Sequence, residues 1–178
     1  LVCAEPKVTT HPTRPTPIMD SLNFQFPGLP SAVDQLGADA EHLIVTQPDL
    51  ALVRIRQLVE VLTTHLEGKT RHDHKKSDSL HARLNQLQYD QAIPPGIDRK
   101  TLGKMIGEDL NSAVHFSTTF RRSASAFEKT ARKHLLTVCQ YWAIVANQSP
   151  PEVLILPAVE DKTIQFLRDI HLQLDHAE

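Results

Sequence analysis

Residues 48–67 read PDLALVRIRQLVEVLTTHLE, and within them Leu52, Ile55, Val59, Leu62 and Leu66 recur at steps of three and four. That spacing returns a side chain to the same side of an α-helix once per turn, so the stretch predicts an amphipathic helix packed along one face. Pro48 suits the first turn, where its missing N–H would have had no partner. Gly68 marks the end. A helix this long and this one-sided needs neighbours to cover it.

The flanking sequence supplies them. Upstream, Ser31 is placed to cap a helix in which Val33, Leu36, Ala40, Leu43 and Ile44 share a face, ending before Pro48. Downstream, a polar linker over 69–77 precedes a short helix marked by Leu80, Leu84 and Leu87, and Ile93-Pro94-Pro95-Gly96 then forces a turn. Asp98 is a natural cap for a fourth helix with Leu102, Met105, Ile106, Leu110, Ala113 and Val114 on its buried side, ending near His115. A fifth spans about 123–146, with Phe127, Ala131, Leu135, Val138, Trp142 and Val145 in one stripe. Val153 to Leu156 is a short extended run beside prolines, and Ile164, Leu167, Ile170 and Leu174 predict a last amphipathic helix over 160–176. The expected fold is all-α, a bundle of five to six helices with one short extended segment. No internal repeat is present.

Pro6, Pro12, Pro15, Pro17, Pro27 and Pro30 crowd the front of the chain and break helical hydrogen bonding there. Residues 1–20 are expected to be a disordered, tag or linker extension, with Met19-Asp20 a candidate start, and 21–178 a single domain. Leu22, Phe24 and Phe26 alternate with polar residues and are expected to dock on that domain. A length of 178 residues suits one core, and 40% apolar with 22% charged residues fits a globular chain. The net charge of -2 gives no general pull toward nucleic acid, so such binding would need a local patch. Cys3 and Cys139 are too few for a disulfide framework or a structural zinc site, and a reducing cytoplasm is the expected compartment. No stretch approaches the roughly 20 apolar residues of a membrane span.

Four pieces, in order over about 20–158, resemble the HEPN-related helical domain found at the N-terminus of type I restriction-endonuclease R subunits. The first is Asn23-Phe24-Gln25-Phe26 followed by Leu36-Gly37-Ala38-Asp39-Ala40-Glu41. The most specific runs from Asp49 to Glu60 and carries Arg56-Gln57-Leu58-Val59-Glu60. The third closes in Asn111-Ser112-Ala113-Val114-His115, and the fourth is Leu135 to Trp142 leading into Pro150-Pro151. The resemblance implies a HEPN-like bundle without a cofactor. It also implies a role in bacterial restriction or defence, with DNA, RNA or larger restriction subunits as candidate partners and a homodimer as a candidate assembly.

HEPN ribonucleases carry an arginine with four to six residues between it and a histidine, a cation to hold the scissile phosphate and an imidazole to move the proton. Before His115 those positions are Leu110, Asp109 and Glu108. The family's glycine before the asparagine is replaced by Leu110. The sequence therefore reads as a non-catalytic accessory or recognition module. The alternative is a divergent ribonuclease or toxin with His115 as proton carrier, Asn111 as orienter and Lys104 or an arginine from elsewhere on the phosphate. A structural dimerisation domain is the third reading.

Other polar clusters have two readings each. Arg121, Arg122, Lys129, Arg132, Lys133 and His134 gather cations around the start of the fifth helix, either a track for a phosphate backbone or a wet face with local ion pairs. Arg71, Lys75 and Lys76 flank His72 and His74, whose spacing invites a metal. No carboxylate or cysteine at a recognisable spacing completes such a site, so no metal is expected, and the run is a phosphate or partner contact or a solvated loop. Arg54 and Arg56 are expected to brace their helix, one of them through Glu60 or another carboxylate at helical spacing. Tyr141 and Trp142 belong in the core, or in a dimer seam. No glycine-rich phosphate loop or nucleophile elbow occurs.

Overall fold

Pro48 cannot continue the hydrogen bonding of the helix before it and drives the preceding residue out of helical geometry. Gln47 accordingly sits at φ -144°, ψ 75°, and the chain reverses there with a single residue between two helices. The computed structural model describes residues 20–70, 79–114 and 123–158. Among them the helices are α1 (Ser31–Thr46), α2 (Pro48–Glu67), α3 (Leu80–Tyr89), α4 (Arg99–Met105), a π-helical turn (Ile106–Leu110) running on into α5 (Asn111–Val114), and α6 (Ala124–Val145). With α4, the π turn and α5 taken as one rod, five helices form an all-α bundle. The expected helix over 160–176 lies outside the described residues.

α2 is the central element, packed by α1, α3, α6 and the π turn with α5. Its Leu52, Ile55, Leu58, Val59 and Leu62 are fully buried, and α6 answers with Ala131, Leu135, Val138 and Trp142, also fully buried. Each such side chain contributes roughly 1.5–3 kcal/mol relative to exposure. The Trp142 ring lies 5.7 Å from that of His65, centroid to centroid. Tyr141 is buried beside it, its hydroxyl donating to Asp98 O at 3.4 Å. Both aromatics are core residues. α3 is clamped to α2 by Arg83, whose guanidinium meets both carboxylate oxygens of Glu67 and the Thr64 hydroxyl.

The helix ends follow local chemistry, with exceptions. Asp98 caps α4 by accepting from the amides of Lys100 and Thr101, and the Thr101 hydroxyl and those amides hold its carboxyl below the ordinary aspartate value. Ser123 caps α6. Ser31 does not cap α1: Pro30 occupies the cap position and Ser31 lies inside the first turn. α3 and α6 close alike, with the Ala92 amide bonded back to Leu87 O and the Gln148 amide to Ala143 O. Each needs a left-handed residue between, supplied by Gln91 (φ 55°) and Asn147 (φ 56°) rather than by glycine.

The segment after residue 20 docks as expected through Phe24, which is buried, and Phe26, which stacks edge-on against it at 6.2 Å. Leu22 departs from the expectation and is 47% exposed, because the segment bends to bury the Ser21 hydroxyl in its place. Phe24 fills the space a side chain at position 37 would need: a Cβ on Gly37 would lie 2.5 Å from its ring. Residues 153–156 form an irregular stretch without a strand partner among the described residues, with Leu154 and Leu156 against the core and Val153 and Ile155 exposed. No helix among the described residues is long and apolar enough to cross a membrane.

Candidate functional site

The rod from α4 to α5 carries the candidate residues Lys104 and Asn111, and the π turn between them decides which way Asn111 faces. An α-helix turns about 100° per residue. One extra residue in the turn therefore re-aims everything after it, and such turns often accompany functional positions. Asp109 is thereby directed at α6, where its Oδ2 lies 2.7 Å from His134 Nε2. Asn111 faces α2, where its Oδ1 accepts from Arg56 Nε at 3.3 Å. The same guanidinium makes an ion pair with Glu60 at 3.0 Å, and the Arg56 side chain is only 19% exposed. The rod is thus pinned to two neighbours by two polar contacts.

Lys104 is not part of this junction. Its side chain is 72% exposed, with Glu108 its ion-pair partner at 3.9 Å. His115 lies outside the described residues, as do Arg71, Lys75, Lys76, Arg121 and Arg122. Of the cationic run, Lys129, Arg132 and Lys133 are exposed on α6. Arg132 is occupied by Glu128 at 2.7 Å. Lys129 and Lys133, four apart and so on one face, have no carboxylate within salt-bridge distance among the described residues.

His134 does not join them. It is buried, paired with Asp109 through one nitrogen and leaving Nδ1 without a hydrogen-bond partner among the described residues. The sequence carried the signal for this, since position 134 falls between Ala131, Leu135 and Val138 on the apolar stripe. A His–Asp pair can orient an imidazole for proton transfer, but here the ring is enclosed and its role is to anchor α6 to the π turn.

Between α1 and α2 an open groove of about 570 Å³ is lined by Leu36, Arg54, Gln57, Glu60, Val61 and His65, among others. Its polar rim is largely engaged internally: Arg54 donates to Gln57 and pairs with Asp39 at 3.4 Å. Burial and the nearby Lys69 lower the pKa of His65. No group of three or more His, Cys, Asp or Glu side chains that could hold a metal occurs among the described residues. Cys139 is enclosed, and burial together with Glu41 pushes its thiol up to about 12, which leaves it protonated and a poor nucleophile.

No family model, no curated protein and no solved structure matches the chain.

Proposed function

We propose that this domain is a non-catalytic accessory or recognition module of a bacterial restriction or defence system, contacting nucleic acid or a partner subunit through the cationic side of α6. The observation that carries the reading is the state of Arg56. Its guanidinium is committed to Asn111 and Glu60 inside the bundle, which suits a brace better than a phosphate clamp. Lys129 and Lys133, by contrast, stand exposed on one helix face. A salt series on DNA and RNA binding tests this. Binding that weakens with salt and is lost on neutralising Arg121, Arg122, Lys129 and Lys133 supports the reading. Absence of binding at low salt, with a concentration-dependent dimer, would favour a structural dimerisation domain.

One observation favours a second reading, a divergent HEPN-type ribonuclease. Arg56 brings to Asn111, one helical turn before His115 in sequence, the guanidinium that the residues preceding His115 lack. Cleavage of labelled RNA by the unaltered chain, lost in both His115→Ala and Arg56→Ala, would replace the first reading with this one.

A further inference from the structure

Glu41 lies on the inner side of α1, 2% exposed. Its carboxylate accepts from the Ser21 hydroxyl at 2.5 Å, the Leu22 amide at 2.8 Å, the Asn23 amide at 3.0 Å and the Asn23 side-chain amide at 2.8 Å. All four donors come from three consecutive residues, so a single side chain gathers four of the hydrogen bonds that attach that segment. The Ser21 oxygen in turn accepts from the Phe24 amide at 2.9 Å. Asn23 then reaches across 132 positions of sequence: its Nδ2 donates to Ile155 O at 2.7 Å and its Oδ1 accepts from Ile155 N at 2.8 Å. A side-chain amide here pairs with the backbone of 153–156 as a neighbouring strand would. On the other side the segment ends in Pro27-Gly28-Leu29-Pro30, where Gly28 has φ +80° and nothing near its Cα that a Cβ would meet.

We propose that residues 21–26 are a strap, hinged at Gly28, that opens as one unit together with residues 153–156 when the Glu41 carboxylate is protonated. An anion can accept from all four donors at once. The acid form would turn one oxygen into a donor facing the Leu22 amide or the Asn23 N–H groups, which can only donate and would lose an acceptor. The titratable groups nearest the junction do not compensate. Cys139 of α6 donates its thiol to Asn23 O at 3.2 Å and stays protonated throughout the acid range. Asp34 of α1 accepts the Ser21 amide at 2.9 Å. No lysine, arginine or histidine makes a salt bridge with Glu41 among the described residues.

Amide hydrogen exchange by NMR on the whole chain tests the strap, read at Leu22, Asn23, Phe24 and Ile155 and corrected for intrinsic exchange. On acidification these four amides are expected to lose protection together, by roughly tenfold or more, while the amides of α2 keep theirs. Glu41→Gln should reproduce the loss at neutral pH. Asn23→Ala should expose the Ile155 amide and leave that of Leu22 protected. Retention of all four protections until α2 itself opens would overturn the proposal, and so would loss at Leu22 with Ile155 unaffected in the unaltered chain. Should Glu41→Gln fail to fold, the acid titration of the unaltered chain still separates joint opening from either of those results.

Discussion

The seam between α2 and α6 and the seam between the strap and α1 hold the same bundle together by opposite means. Between α2 and α6 the contact is apolar and spread over many fully buried side chains, so each residue carries a share and none is irreplaceable for the topology. At the strap the contact is directional and converges on Glu41. Distributed burial gives a region that fails only with the whole domain, whereas convergence gives one that can fail by itself.

Breaking the first seam should have the largest effect. Trp142→Ala removes the largest fully buried side chain and is expected to cost about 3–5 kcal/mol, seen as a lowered denaturant midpoint by far-UV circular dichroism. On the strap side, Gly37→Ala drives a Cβ into the Phe24 ring. It is expected to cost about 1–3 kcal/mol, capped at the docking free energy because the strap can leave instead. Here exchange at Leu22 and Phe24 should rise before the midpoint moves far; an equal loss in both readouts would mean the two regions are one cooperative unit.

Outside both seams, Gln91→Gly relieves the left-handed residue that closes α3 and should stabilise by about 1 kcal/mol. The midpoint should rise with no change in strap exchange. The smallest effect concerns His65. Its pKa in the folded chain is lowered from the ordinary 6.5 by burial and then by Lys69, so the unfolded chain binds the proton more readily. The stability it contributes is complete above the unfolded value and is lost as pH falls through the folded one. His65→Gln should flatten the dependence of Tm on pH just below neutrality, leaving the acid response of the strap in place.

Much of the bundle was legible because apolar spacing reports a helix face directly. α2, α3 and α6 fall where Leu62, Leu84 and Leu135 and their neighbours recur. The π turn was not legible, since Ile106 and Leu110 keep an ordinary helical step across it and only the facing of Asp109 and Asn111 reveals the added residue. Glu41 was hidden for a related reason. It sits on the buried face with Val33, Gly37, Ala40 and Ile44, but its donors arrive from a stretch with no helical period. At the candidate site, the helical position of Asn111 was legible, and helical spacing suggested a carboxylate partner such as Glu60 for one of Arg54 and Arg56 without saying which; it is Arg56 that pairs with Glu60. The contact joining Arg56 to Asn111 spans 55 positions, and nothing local in a sequence encodes such a meeting. Charge alone groups His134 with the surface cations, although its place in the apolar stripe points inward.

The π turn also sets the bearing of the chain beyond it. Gly107 within it is exposed, with nothing nearby that a side chain there would meet. Removing it would rotate the rod beyond it by about 100°, unhooking Asn111 from Arg56 and turning the buried Leu110 out of the core. One codon at a solvent-facing glycine thus separates two orientations of the same candidate residues.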